Sequence, residues 1–552
     1  MNNFKWKTLF AESIFKQKYA QGANDTWPNL CRRLVNDVCG DRSMCSKPNE
    51  SPLMSQADQD QLIKYMIDQA FVPAGRYLYY AGRGVSFFNN CFALRAEEDT
   101  REEWGNICKR SSDCLMSGGG ITINYSRLRP SGRALARTGG VSSGPIPLMS
   151  SVNEIGRNVM QGGSRRSAIG AILNWQHEDI ESFLIAKDWS DTIKKLKAED
   201  FNFPAPFDMT NMSINWDTAF IDLVKNSNSD SAKDLWYRSV LKMCRTGEPG
   251  HTYDFWENEN DNLRNACMEF TSENDSDVCN LGSINFGNIP SIGELTSVVN
   301  LASKFLVCGS IRGDLPYDKV KFVREQNRKI GLGVMGVHEW LLQRSLPYEV
   351  NDELKSWLQV WKDESERAAN EWSDRFFINR PKKYRAVAPA GSIGILSSTS
   401  TGIEPLFAVA YKRRYLEGGT KWKYQYVVDS TAQHLVDTYG INPDEIETSS
   451  SLAADPERRI KFQYEIQKYV DMAISSTINL PEWGSDLNNE DTANNLAGTL
   501  LKYCHGLRGI TVYPNGSRGG QPLTQVSYEE AKKHHGIVYA EEGTCNGGVC
   551  GI

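Results

Sequence analysis

Three residues two apart in the chain, Asn265, Cys267 and Glu269, lie within Asn265-Ala266-Cys267-Met268-Glu269. In an extended strand or a tight loop this spacing sends the three side chains to one side. A hydrogen-bond donor, a sulfur and a base then converge on one small volume. That is an arrangement for chemistry rather than for packing. A second cysteine follows soon after in Val278-Cys279-Asn280-Leu281-Gly282-Ser283-Ile284-Asn285, and a third precedes them in Phe87-Phe88-Asn89-Asn90-Cys91-Phe92. Two more, Cys545 and Cys550, stand five apart near the C-terminus with glycines between them. Such a pair can close a small disulfide without a rigid scaffold and suits a shuttle of reducing equivalents. A cysteine hydrolase would also use Cys267 as nucleophile, with one of the seven histidines as its partner. That reading leaves Cys91, Cys279 and the terminal pair without a role; a thiol-rich regulatory or binding subunit without activity is the non-enzymatic rival.

One stretch reads as an anion cradle. Ala388-Pro389-Ala390-Gly391-Ser392-Ile393-Gly394 and Ser397-Ser398-Thr399-Ser400-Thr401-Gly402-Ile403-Glu404-Pro405 combine glycines with small hydroxyl residues. Backbone amides at a helix start can hold a phosphate there. Neither a Walker A loop nor a dinucleotide glycine motif occurs in the right setting.

The elements that must carry these residues alternate. Residues 1–70 read as helical, with Trp6, Phe10, Ile14, Phe15 and Tyr19 at helical spacing. Residues 71–145 alternate short apolar runs with glycine turns. Met149, Val152, Ile155 and Val159 predict an amphipathic helix over Met149–Met160 that stops at Gly162-Gly163. Strands are expected over Ala168–Leu173 and Met212–Trp216, a loop or exposed helix over Lys187–Glu199, and a helix through Leu354, Trp357, Leu358 and Trp361. Repeated strand–helix alternation predicts one large α/β body over 71–530. Residues 531–552, acidic and glycine-rich, are expected to be a mobile tail.

Composition removes whole classes of function. A formal net charge of -6 gives no support to nucleic-acid binding. No apolar run approaches the roughly 18 residues of a membrane span, and the N-terminus has no signal-peptide core, so no membrane is expected and the protein reads as cytoplasmic. Thirteen cysteines without a Cys-x-x-Cys pair argue against a disulfide scaffold and a structural zinc site, so no metal is expected on this chain. Cys31, Cys39, Cys45, Cys108, Cys114, Cys244, Cys308 and Cys504 read as buried thiols.

Taken together, these motifs closely resemble the catalytic subunit of ribonucleotide reductase. The family's Asn-x-Cys-x-Glu finger loop stands as Asn265, Cys267 and Glu269, and its redox cysteines as Cys91 and Cys279. Also family-like are Gly162-Gly163-Ser164-Arg165-Arg166, Asn327 to Gly336, Pro389 to Ser392, Gly402 to Pro405, and the terminal cysteines. The resemblance covers roughly residues 60–552. It implies a ten-stranded α/β barrel with a central finger loop, preceded by a short helical N-terminal region (1–70) without a nucleotide-binding cone.

It further implies a thiyl radical on Cys267, Glu269 as general base, and Asn265 holding the sugar. Cys91 and Cys279 would be oxidised to a disulfide, which Cys545 and Cys550 reduce; thioredoxin or glutaredoxin would then restore the tail. Pro389, Ala390, Gly391 and Ser392 would hold the substrate phosphate, with Asn90 and Gly120 in contact with the substrate. Glu98 and Arg129 would contact a nucleotide effector (dNTP or ATP) in a homodimer, with Met149–Met160 as interface helix. The relay stretch reads Thr511-Val512-Tyr513, so only Tyr513 is available for radical transfer where two adjacent tyrosines would be expected. This favours the adenosylcobalamin-dependent class. A compact bacteriophage form, acting in the host cytoplasm with a separate ferritin-like dimetal subunit, is the alternative; the chain lacks the paired Glu-x-x-His motifs of a dimetal site.

Overall fold

The computed structural model describes residues 4–45, 47–48, 50–136, 138–159, 167–200, 203–224, 229–256, 261–417, 421–517, 523–534 and 537–540. The N-terminal region is helical, over Leu9–Lys18, Trp27–Val38 and Gln56–Ile67. Each helix starts where a hydroxyl can take an orphan amide: the side chains of Thr8, Thr26 and Ser55 accept from the backbone N–H of Ala11, Asn29 and Asp58. Their buried residues, among them Phe15, Trp27, Leu34 and Leu62, share one core with helix Ile292–Arg312. That helix is long and apolar enough to cross a membrane by length and composition, contrary to the expectation that no run qualifies; 61% of its apolar window is buried inside the protein.

The strands follow in chain order: β1 (Phe71–Pro73), β2 (Cys91–Arg95), β3 (Gly120–Asn124), β4 (Ile169–Asn174), β5 (Thr210–Asp217), β6 (Gly250–Asp254), β7 (Leu263–Arg264), β8 (Thr271–Ser272), β9 (Asp277–Asn285), β10 (Ile330–Met335), β11 (Ala410–Glu417), β12 (Lys421–Val428), β13 (Thr477–Leu480), β14 (Gly509–Pro514), β15 (Leu523–Gln525) and β16 (Val538–Ala540). The main sheet has ten strands, in the order β1-β9-β2-β3-β4-β5-β6-β14-β13 with β10 also on β9. Neighbours from β2 to β6 are parallel, as are β9 with β10 and β13 with β14. The two parallel halves meet antiparallel at β2/β9 and at β6/β14.

Residues 383–388 close the ring. Ile330 N–H donates to Lys383 O (3.1 Å), Leu332 N–H to Tyr384 O (3.0 Å), and Val387 N–H to Ala473 O (3.2 Å), and Val387 pairs in parallel with Ile474 just before β13. The expected α/β barrel is therefore what the chain forms.

Alternation along the strands sorts the two faces. Outward residues such as Ile121, Ile123, Leu173, Ile214 and Val512 pack under the helices. Inward positions are small: Cys91, Ala93, Gly120, Thr122, Gly170, Gly331. A Cβ on Gly170 would meet Thr122 Oγ1 at 2.3 Å, and one on Gly331 would meet Leu281 at 2.3 Å. Into this interior projects the hairpin formed by β7 and β8. Its Leu263 and Phe270 pack inside with Ala93, Cys279, Leu281, Ala386 and Met472.

Helices occupy Ile146–Asn158, Asp191–Glu199 and Asp352–Arg375, close to the sequence expectations. The region read as a mobile tail begins differently. Residues 531–534 finish helix Tyr528–His534, and β16 adds to the outer sheet β15-β11-β12-β16. Helix and strand thus occur beyond residue 530, because Ala531 is buried against Ala410 and Val428 and β16 finds an open edge on β12.

Candidate active site

β7 and β8 pair antiparallel, with Leu263 opposite Ser272 and Arg264 opposite Thr271. Between them the chain turns, and Met268 N–H donates to Asn265 O at 2.9 Å. Met268 sits in the left-handed region at φ 72°. The loop is therefore a tight turn, the second of the two geometries that suit its spacing. Asn265 organises it from within: its Oδ1 accepts from Phe270 N–H (3.0 Å) and its Nδ2 donates to Glu269 Oε1 (2.7 Å). Ala473 N–H donates to Glu269 O (2.8 Å) and ties the outgoing arm to the barrel wall. Asn265 and Glu269 are buried, while Cys267 at the tip is half-buried.

The other oxygen of Glu269, Oε2, is buried with no hydrogen-bond partner among the described residues. A carboxylate there lacks the solvation its charge needs. Burial, together with the nearby Cys91 thiol, pushes its pKa up to about 8. This is the profile of a base that exchanges a proton near neutral pH.

Cys91 and Cys279 are thiols and sit directly opposite each other across the β2/β9 seam. Opposed residues in an antiparallel pair have Cα atoms about 4.5–5.5 Å apart, inside the roughly 4.4–6.8 Å range of disulfides. Two residues far apart in sequence are thus ready to bond because one half of the barrel runs against the other. Burial pushes the Cys279 thiol pKa well up, and Glu269 and Asp277 add to it. Gly120 is Cys91's neighbour on β3; a Cβ there would lie 3.4 Å from Cys91 Sγ and 3.2 Å from Ala168 O. Gly120 N–H donates to Asn90 O (2.8 Å), and Asn90 Oδ1 is buried without a partner among the described residues.

Pro389 and Ala390 lead into helix Gly391–Ser397, which opens at Gly391 and Ser392. Ala390 N–H donates to Thr401 Oγ1 (2.6 Å), and a Cβ on Gly391 would meet nothing within 4 Å, so the approach to this helix start is open. The Gly402–Pro405 stretch is fixed by Glu404, whose Oε1 accepts from Thr477 N–H (2.8 Å) and whose Oε2 pairs with buried Arg459. Tyr513 is half-buried on β14, opposite Asn479, and alternates with outward-packed Val512.

Arg129 lines a cavity of about 940 Å³ with Asp99, Thr100, Trp104, Leu128 and Ser142. Its guanidinium pairs with Asp99, not with Glu98, which is exposed. Asp99 and Glu102 are the carboxylates that line this cavity, and Glu98 is not among its lining residues. Cys545, Cys550 and Gly162–Arg166 lie outside the described residues. No group of three or more His, Cys, Asp or Glu is placed to hold a metal among the described residues. Sequence reasoning missed the charges at the base of the loop, where Asp261 meets Lys383 and Lys329 meets Asp277. Single charged residues spread over four segments carry no local signal.

The chain matches the family described as ribonucleotide reductase, barrel domain, over residues 89–207, 209–360 and 380–513. It is 28% identical to a vitamin B12-dependent ribonucleoside-diphosphate reductase of Thermoplasma acidophilum, over 84% of this chain and 66% of that protein. It thus spans just under two thirds of that relative. A protein of Mycobacterium phage D29, described as an adenosylcobalamin-dependent ribonucleoside-triphosphate reductase, is 24% identical over 98% of both chains. Among solved structures, the Actinobacillus ureae class Id ribonucleotide reductase alpha subunit superposes with a TM-score of 0.73 at 16% identity, covering 93% of this chain and 98% of that one.

Proposed function

The chain belongs to the ribonucleotide reductase family through its barrel domain, and on that premise we propose that it reduces ribonucleotides to 2′-deoxyribonucleotides by radical chemistry at Cys267. The observation that carries this reading is the placement of Cys91 opposite Cys279 with the Glu269 carboxyl close to both. A hydrolase has no use for that dithiol.

The chemistry follows from the residues. A thiyl radical on Cys267 takes the hydrogen atom from the ribose 3′ carbon. Glu269 accepts the 3′ hydroxyl proton, and the partnerless Oε2 is the oxygen available for it. Asn265 keeps Glu269 in place and binds the sugar. The 2′ hydroxyl leaves as water with a proton from the dithiol. Cys91 and Cys279 supply two electrons and the hydrogen that replaces the hydroxyl at the 2′ carbon, and become a disulfide; Glu269 returns its proton to the 3′ oxygen, and Cys267 returns its hydrogen to the 3′ carbon. Cys545 and Cys550 then reduce the disulfide by thiol exchange, with thioredoxin or glutaredoxin as final reductant. The phosphates of the substrate bind at Pro389, Ala390, Gly391 and Ser392, and Asn90 and Gly120 border the sugar. A nucleotide effector occupies the cavity lined by Arg129 and Asp99. The protein acts in the cytoplasm as a homodimer, with helix Ile146–Asn158 at the interface.

We infer adenosylcobalamin as the radical source. Val512 packs outward where a tyrosine relay needs a second ring, which supports a source that requires no relay through two adjacent tyrosines. When bound, that cofactor supplies a one-electron oxidant for the thiol. Tyr513 remains on the inner wall, available to a separate ferritin-like dimetal subunit if that is the source.

The test is an assay of the purified chain with ribonucleotide, reduced thioredoxin and adenosylcobalamin alone. Deoxynucleotide formation supports the reading, and its loss in Cys267→Ser with nucleotide binding retained assigns the radical site. Activity only after addition of a dimetal subunit would overturn the choice of cofactor.

A further inference from the structure

The finger that carries Cys267 has only two paired residues in each arm, which is too little to hold itself in place. Buried charges at its base tie it to the barrel wall instead. Asp261 Oδ2 accepts from Thr271 Oγ1 across the hairpin (2.7 Å) and meets Lys383 Nζ at 2.6 Å and Arg508 Nη1 at 3.6 Å. On the outgoing arm, Lys329 Nζ donates to Thr271 O (3.0 Å) and Ser272 Oγ (3.0 Å) and pairs with Asp277 at 3.1 Å. None of these charged side chains is more than 11% exposed. Lys329 precedes β10, Lys383 begins the closing segment, and Arg508 precedes β14, so three members of one barrel half grip the same hairpin. Burial alone would raise the Asp261 carboxyl, but Lys329 and Lys383 more than offset it and hold it well below the usual range.

We propose that Asp261, Lys383 and Lys329 are positioning residues that set how far the tip sulfur of Cys267 reaches into the barrel. The proposal rests on Cys267 being the reacting thiol. Stability alone does not call for buried ion pairs, since apolar residues of similar volume serve as well or better. What charges add is a single location. Asp261 grips the incoming arm and Lys329 the outgoing one, so the tip can neither slide nor tilt without stranding a buried charge. A shift of about 1 Å in a reacting atom costs on the order of 100-fold in rate.

The test compares Lys383→Met, Asp261→Asn and the double variant with the wild-type chain. Substrate KM should stay within about twofold while kcat falls about 10- to 100-fold. Alkylation of Cys267 by iodoacetamide, followed by peptide mass mapping, should speed up severalfold. The double variant should be less impaired than the two single losses combined, because neither charge is left alone. Thr271→Val removes only the hydroxyl that Asp261 accepts and should shift both readouts the same way by a smaller factor; it carries the test if Lys383→Met does not fold. Wild-type turnover and alkylation in a folded variant overturn the proposal, as does lost turnover with unchanged alkylation. Should the wild-type chain reduce no ribonucleotide, the proposed function fails while the alkylation contrast still decides the role of the clamp.

Discussion

Replacing Glu269 with glutamine separates a buried base from a buried hydrogen-bonding residue. Glu269 is 1% exposed, one of its oxygens has no partner among the described residues, and its pKa is about 8 against an ordinary 4.5. In the unfolded chain the carboxyl ionises near its ordinary value. In the fold it keeps its proton until about pH 8. Between those two values the folded state holds one proton more, so stability falls as pH rises and the loss levels off above pH 8. At about 1.4 kcal/mol per pH unit, the wild-type chain is destabilised by about 3 kcal/mol at pH 7 relative to acid conditions.

Glutamine cannot ionise. It keeps the bond from Asn265 Nδ2 but leaves a buried amide without an acceptor, at a pH-independent cost of about 1–3 kcal/mol. Urea midpoints measured in parallel from pH 5 to pH 8.5 should therefore show the variant less stable at the acid end and more stable at the alkaline end. The same substitution should lower kcat about 100- to 10,000-fold as loss of a general base, while wild-type kcat/KM rises with pH toward 8. Parallel stability curves for the two proteins, or a rate already level at pH 6, would refute the argument that burial sets this carboxyl's chemistry.

Two further substitutions test the barrel that holds the site. Gly170→Ala places a Cβ 2.3 Å from Thr122 Oγ1 on the crowded inner wall and should destabilise by about 1–3 kcal/mol, read as a lowered urea midpoint. Arg459→Met strands Glu404, whose partner Arg459 is 2% exposed in its side chain, and should cost about 3–5 kcal/mol and raise substrate KM by loosening the Gly402–Pro405 stretch; chemical denaturation and steady-state kinetics check the two effects. Unchanged stability in either variant would count against the packing described.

Much of the site could be read directly from residue types. Asn265, Cys267 and Glu269 carry their chemistry in their identities, and only a turn or a strand satisfies their spacing. The α/β body was legible as repeated strand–helix alternation, and its closure into a barrel only through the family resemblance; within the strands, outward Phe92, Ile121, Ile123 and Ile214 stand beside small inward Ala93, Gly120 and Thr122. Four things were not. The closing segment 383–388 lacks the regular pairing that marks a strand, and its role appears through hydrogen bonds to β10 and to residues 472–475. The pairing of Cys91 with Cys279 depends on which strands form the antiparallel seam, a property of closure that no window of sequence contains. The clamp on the finger joins Asp261, Lys329, Lys383 and Arg508 from separate segments, each of which alone looks like an ordinary surface charge. The helix end at 531–534 and strand β16 were missed because a seven-residue helix and a three-residue edge strand leave almost no periodicity.

The most direct test of the account is a single turnover of the pre-reduced chain with adenosylcobalamin and ribonucleotide but no external reductant, in a Cys545→Ser/Cys550→Ser background, followed by mass mapping of disulfides. The account predicts deoxynucleotide in step with a Cys91–Cys279 disulfide, and neither when Cys267 is replaced by serine. Deoxynucleotide formed without that disulfide, or formed by the Cys267→Ser chain, would contradict it.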